Sequence, residues 1–269
     1  MTSKVGDISS GFARSDWRSL GQTDLTISPI GLGTVKFGRN TDVKYPSSFK
    51  LPDNSQLDAL VRTAKELGIN FLDTAPAYGE SEKKIGEIIR ADRSDWVIST
   101  KVGEQYENGV SKFDFSAEAT RGSIEHSLHC LRTDYLDIVL IHLHENDENT
   151  LLHSDVFGEL VKLKEKGMIR SIGASTKTVA GGLLALAMTD LVMVTYNPQD
   201  TSQSAVLETA HERGKGVIVK KALASGHASN IGENLEFVLG RKGVCSAIVG
   251  TINPQHLRAN VQEVLAIVR

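Results

Sequence analysis

At 269 residues the chain has the length of one large domain or two small ones, ample for a sizeable core. Its formal charge of -3 and pI near 6.3 leave no basic footprint for nucleic acid or an anionic membrane. No apolar run of signal-peptide length opens the chain and none approaches a membrane span, so the expectation is a cytoplasmic enzyme or binding domain.

Residues 1–16 are polar and read as a flexible N-terminus, with one domain over 17–269. From Trp17, two short alternating runs flank the turn Gly21-Gln-Thr-Asp24, which predicts a small hairpin suited to plug the bottom of a barrel. A glycine-rich strand follows at 30–34, then a polar loop over 38–51 carrying Tyr45, Pro46 and Phe49. Asp53 opens a helix with Leu57, Leu60, Val61, Ala64 and Leu67 on one face, and Gly68 closes it.

From there strand-like runs recur at 69–73, 96–101, 136–142, 169–175, 191–196, 216–221 and 246–249. Helical patterns separate them at 80–90, 116–132, 150–166, 177–188, 201–213, 232–241 and 254–267, as in Ile124, Leu128 and Leu131. Eight strands alternating with eight helices argue for parallel βα units. An open doubly wound sheet usually carries G-x-G-x-x-G after its first strand, and here Lys36 occupies the third glycine position. The expected fold is therefore a closed α/β (β/α)8 TIM barrel with a short N-terminal β-hairpin. Cys130 and Cys245 fall in a helix and a strand, which predicts two buried reduced thiols.

In such a barrel the chemistry gathers at the carboxyl ends of the strands. Those ends carry Asp73, Lys101, His142, Ser175-Thr176, Tyr196-Asn197 and Lys220-Lys221 in turn. Lys101 is expected beside Asp73, since a buried lysine needs a counter-charge. Tyr78, in the loop after Asp73, has an unperturbed pKa near 10, and an adjacent ammonium should lower it toward a useful range. Lys101 would thus tune Tyr78, and Asp73 would hold Lys101. His142 would reach a substrate carbonyl oxygen. Each residue alone has a plainer reading, Asp73 as a turn cap, Tyr78 as surface packing and His142 as a core histidine. His144, Glu145 and Asp147 read as a solvated loop, and no metal site is expected.

Three segments with these residues resemble motifs of the aldo-keto reductase family, in the family's order. They are Phe-Leu-Asp-Thr-Ala-Pro-Ala-Tyr-Gly at 71–79, Tyr-Leu-Asp-Ile-Val-Leu-Ile-His at 135–142 and Gly-Met-Ile-Arg-Ser-Ile-Gly-Ala-Ser at 167–175. The likeness runs from Arg18-Ser-Leu-Gly-Gln-Thr-Asp-Leu25 to the segment at 250–260. The resemblance implies a nicotinamide cofactor, usually NADPH, and reduction of aldehydes or ketones. Asp73, Tyr78, Lys101 and His142 match the family's catalytic four, with Tyr78 as general acid.

For the cofactor the resemblance implies Thr34, Asp73, Ser175, Thr176, Lys220, Leu223, Gly226, Gly250, Thr251, Asn253, His256 and Asn260. Ser175 would bond the carboxamide, Leu223 to Gly226 would wrap the pyrophosphate, and the 250–260 segment would take the adenosine phosphate. Several positions depart from the pattern. Met193 stands where the family has Gln, and Lys220 where many members stack an aromatic ring. Gly250 and His256 replace the Lys and Arg that suit a 2′-phosphate, which leaves NADH as an alternative donor. The chain stops at Arg269, before the loop that closes over substrate in many relatives, so a more open mouth is expected. Phe37, Tyr45 and Leu143, with Phe49 and Tyr106, are the candidate substrate contacts. A Schiff-base lyase using Lys101 or Lys220, or a cofactor-holding barrel with weak or regulatory activity, are the competing readings.

Overall fold

The computed structural model describes residues 11–145 and 147–268. The hairpin strands β1 (Arg18–Ser19) and β2 (Thr26–Ile27) pair antiparallel ahead of β3 (Ile30–Gly33) and β4 (Phe71–Asp73). Next come β5 (Val97–Val102), a second hairpin of β6 (Glu104–Glu107) and β7 (Val110–Phe113), and β8 (Leu136–His142). The remaining strands are β9 (Ile169–Ser175), β10 (Leu191–Thr195), β11 (Gly216–Lys220) and β12 (Val244–Val249). Eight of these close into a parallel barrel in the order β3, β4, β5, β8, β9, β10, β11, β12 and back to β3. The expected TIM barrel is therefore the observed architecture.

The helices are α1 (Val35–Gly38), α2 (Asn54–Glu66), α3 (Ser81–Ile88), α4 (Ala117–Leu131), α5 (Asp147–His153), α6 (Val156–Glu165), α7 (Val179–Met188), α8 (Ser204–Glu212), α9 (Ile231–Leu239) and α10 (Pro254–Val268). Local chemistry sets their starts. Asp53 accepts from the Gln56 N–H at 2.8 Å while Gln56 Oε1 accepts from the Asp53 N–H at 3.0 Å, a reciprocal cap. The helix expected over 150–166 is two helices broken at Ser154 and Asp155, because Ser154 Oγ bonds back to Thr150 O at 2.6 Å and Asp155 begins a new turn.

Two apolar layers follow. Leu60, Ile124, Leu160 and Val261 belong to the ring between strands and helices. A smaller cluster inside the barrel joins Leu20, Leu25 and Ile27 of the first hairpin to Phe71, Val97, Leu191 and Ile218 near the strand starts. The hairpin is the expected plug, and it leaves the opposite end of the barrel for polar groups.

Three expectations change. Residues 1–10 lie outside the described residues, but 11–16 are held: Phe12 is buried and its N–H donates to Leu67 O at 2.8 Å. Cys245 is buried and Cys130 is not, because Cys130 lies on the partly exposed side of α4; both are free thiols. Asp147 is fully buried rather than solvated, and its Oδ2 accepts the backbone N–H groups of Lys177 and Thr178 at 2.5 and 2.8 Å.

Candidate active site

The carboxyl ends of the barrel strands surround a cavity of about 290 Å3. Asp73, Tyr78, Lys101 and His142 all line it. The register explains the convergence: Gly33 pairs with Asp73, Asp73 with Ser99, and His142 with Ser175, so neighbouring strands end at one level. Asp73 Oδ1 accepts from Lys101 Nζ and from Ser99 Oγ, each at 2.7 Å, and Lys101 also donates to Thr74 O at 2.8 Å. Lys101 Nζ stands 4.8 Å from the centre of the Tyr78 ring.

This geometry sets the charge states. Burial by itself would lower the Lys101 ammonium, but Asp73 and Tyr78 outweigh it and the net shift is upward. Lys101 stays charged. The Tyr78 phenol moves up, because burial outweighs the downward pull of Lys101. The expectation that Lys101 brings Tyr78 below its ordinary value is thereby corrected. At neutral pH Tyr78 is a protonated donor, the state a general acid requires.

A group that the sequence reading overlooked completes this side. Glu104, on β6, places Oε2 at 2.8 Å from His142 Nδ1. Ser111 Oγ donates to Glu104 Oε1 at 2.7 Å, and Arg39 lies 3.9 Å from the same oxygen. Burial alone would raise the Glu104 carboxyl, yet His142, Ser111 and Arg39 together bring it down to about 2. Burial lowers His142, and Lys101 and Lys220 lower it further against the pull of Glu104. The sequence marks the hairpin but not this contact: Asn108-Gly109 is a hairpin turn pair, and both residues take positive φ, 51° and 83°.

Across the cavity Lys220 donates to Ser175 Oγ at 2.8 Å and Thr176 O at 2.9 Å. Burial, then Lys177, Lys221 and Lys101, bring its ammonium down to about 7. Ser175, the expected carboxamide partner, is thus engaged by Lys220.

Of the other candidates, Thr34, Leu223, Gly226, Gly250 and Tyr45 also line the cavity. Thr34 Oγ1 donates to Asp73 O at 2.9 Å. Phe37 and Leu143 do not line it: both are fully buried in the layer behind the strands, because their side chains turn to the helices. They are not substrate contacts. Tyr106 is also committed elsewhere, with the Arg39 guanidinium 3.4 Å over its ring and its hydroxyl donating to Asp42 at 2.8 Å. Phe49 packs edge-on to Tyr45, which itself lies under Lys36. Tyr45 is pushed up to about 12, chiefly by burial.

Thr251 and Asn253 precede α10, and His256 and Asn260 lie in its first two turns, away from the lining of the central cavity. Asn253 Oδ1 accepts from the Gln255 N–H at 2.8 Å, His256 is exposed, and Asn260 is buried with Oδ1 unpartnered among the described residues. Thr176 Oγ1 is likewise buried without a partner. An orphaned amide oxygen, an orphaned hydroxyl and two cavity-lining glycines, Gly226 and Gly250, fit an extended polar ligand that supplies hydrogen-bond partners and needs close backbone approach. No cluster of metal-ligating side chains occurs among the described residues.

A profile of the Aldo/keto reductase family matches residues 29–236. The chain belongs to this family. It is 45% identical to a solved Pseudomonas aeruginosa structure named as an aldo-keto reductase, with a TM-score of 0.89 over 97% of this chain and 98% of that one. It is 35% identical over 223 residues to L-galactose dehydrogenase of Arabidopsis thaliana, covering 78% of this chain and 66% of that protein. With the NADH-specific methylglyoxal reductase of Escherichia coli it shares 32% over 169 residues, 58% of this chain and 50% of that protein. The chain thus spans between half and two thirds of these two curated relatives.

Proposed function

We propose that this family member is an NAD(P)H-dependent oxidoreductase that interconverts small-molecule aldehydes or ketones with their alcohols. The observation that carries the reading is the convergence of Asp73, Lys101, Tyr78 and His142 on one cavity. A bound nicotinamide would supply or accept the hydride. Ser175, Thr176, Lys220, Leu223, Gly226 and Gly250 would hold its nicotinamide and phosphate portions, and Thr251, Asn253, His256 and Asn260 its adenosine end.

The chain's own residues handle the proton and the charge. Tyr78, kept protonated by burial, donates to the substrate oxygen in reduction. Lys101, kept charged by Asp73, stabilises the negative charge that develops on that oxygen. The same pairing argues against a Schiff-base lyase at Lys101, since a nucleophilic amine must be neutral. NADPH is the donor that family membership suggests, but neither Gly250 nor His256 offers the fixed cation that favours a 2′-phosphate, so NADH is a competent alternative. Among the described residues no helix is long and apolar enough to cross a membrane. A cytoplasmic location is part of the proposal, and the free thiols of Cys130 and Cys245 suit a reducing compartment.

The test is absorbance at the reduced-nicotinamide band with an aromatic aldehyde and an aldose, NADPH and NADH in parallel. Tyr78→Phe should cut turnover by about 10²- to 10⁴-fold with cofactor binding retained. Undiminished turnover in that variant would refute the proton-donor role, and tight cofactor binding without any turnover would favour a regulatory barrel.

A further inference from the structure

Three lysines that line the cavity, Lys177, Lys220 and Lys221, form no ion pair among the described residues. Lys101 is matched by Asp73 at 2.7 Å and Arg39 has Glu104 at 3.9 Å, so those two cations are balanced where they stand. Of the three unbalanced lysines, Lys220 reaches furthest toward the chemistry. It ends β11, and its Nζ donates to Ser175 Oγ at 2.8 Å and Thr176 O at 2.9 Å, both neutral oxygens. Ser175 is the register partner of His142, so the Lys220 ammonium stands one hydrogen bond away from the strand ends that carry the proposed catalytic groups.

The oxidoreductase reading, on which this inference rests, requires a nicotinamide ring to reach an oxygen beside Tyr78, and so to share the cavity of about 290 Å3 with Lys220. The two redox forms of that ring differ in charge: the oxidised ring is a cation and the reduced ring is neutral, while the phosphates are the same in both. Whatever the phosphates gain from Lys177 and Lys221 therefore cancels when the two forms are compared. A charge beside the ring does not cancel. We propose that Lys220 determines specificity for the redox form of the cofactor: its ammonium, with no carboxylate in contact, disfavours the cationic oxidised ring and leaves the neutral reduced ring unopposed. The spent cofactor of a reduction is then held more weakly than the incoming one. A cation on the wall of so small a cavity should separate the two dissociation constants by roughly 10- to 100-fold.

The effect lasts only while Lys220 is charged. Burial first, then Lys177 from the β9–α7 loop, Lys221 and Lys101 on β5, oppose that charge, and Asp147 on α5 favours it; the balance lies at about 7. His142 on β8 also faces it. Between pH 7 and 9 the neighbours at the centre hold still, because His142 is kept below its ordinary 6.5 while Tyr78 and Lys101 are kept above 10.0 and 10.5. The discrimination should therefore fade as pH rises through this window.

Calorimetric titration of the full-length protein with NAD+ and NADH, and with NADP+ and NADPH, gives the ratio of oxidised to reduced Kd at each pH. In the unsubstituted protein the ratio should fall about tenfold or more between pH 6.5 and 9, alike for both pairs. Lys220→Met should show a low ratio with most of the slope gone, any remainder being the share of Lys221, which burial also moves down. Lys220→Arg should keep a high ratio across the whole range, because a guanidinium stays charged. A residue that only packs would change both Kd values together and leave their ratio in place. A ratio without slope in the unsubstituted protein, or a Lys220→Met ratio as high as that of Lys220→Arg, overturns the proposal alone, provided the protein turns over a carbonyl or alcohol. Failure to bind either redox form, with no such turnover, overturns the oxidoreductase reading and this proposal with it.

Discussion

Two strand-end lysines face the same cavity and answer burial in opposite ways. Lys101 meets Asp73 at 2.7 Å and its ammonium is favoured; Lys220 meets only neutral oxygens, has three lysines around it, and falls to about 7. Both are strand-end lysines of a barrel, so the difference lies in the partner. A carboxylate in contact converts a desolvated cation into a dependable charge, and its absence makes the same side chain titrate near neutrality.

The largest expected effect comes from abolishing that difference. Asp73→Ala should cost about 3–5 kcal/mol in urea unfolding, because it leaves Lys101 buried without its counter-charge. Carbonyl reduction should be lost with it, as Lys101 becomes as readily deprotonated as Lys220.

An intermediate effect comes from the other lysine. A base whose folded pKa lies below its unfolded value costs stability while both states compete for the proton. For Lys220 that cost is full below pH 7, shrinks as pH rises, and vanishes near the ordinary lysine value of 10.5. Lys220→Met should therefore raise the Tm at pH 6, by ~2–4 °C for each kcal/mol relieved, with the gain fading by pH 10. Lys101 has the opposite sign: its raised pKa contributes stability that is complete below 10.5 and is lost only at higher pH. A Lys220→Met gain that persists unchanged at pH 10 would mean that burial, and not charge, sets the cost.

The smallest effect concerns Met193, which pairs in register with Ser175 beside Lys220. Met193→Gln should tighten cofactor binding by about threefold to tenfold, one hydrogen bond's worth, read by nicotinamide fluorescence. Some stability should be lost, because Met193 packs in the inner cluster.

Much of the site could be read along the chain. Asp73, His142 and Ser175 end strands, and Lys101 lies one residue before the end of its own, where apolar runs mark the boundaries; the plug was visible in the turn after Leu20. Phe37 and Leu143 show where such reading fails. Each lies one to four residues beyond a strand end, close to the mouth in sequence, but proximity does not say which way a side chain turns. Both turn outward to the helices. Glu104 failed for another reason: it lies past the end of β5, in a hairpin whose turn residues were legible but whose docking onto His142 was not.

The amino-acid sequence alone determined the alternation of strands and helices, hence the closed barrel, and the identity of the polar groups gathered at one end, because both follow from local periodicity and strand length. Only the tertiary structure decided which of those groups are charged. The protonation of Tyr78, Lys101, Lys220 and His142 depends on burial and on partners brought within a few ångströms from distant parts of the chain, as Glu104 meets His142, and no local pattern encodes those distances.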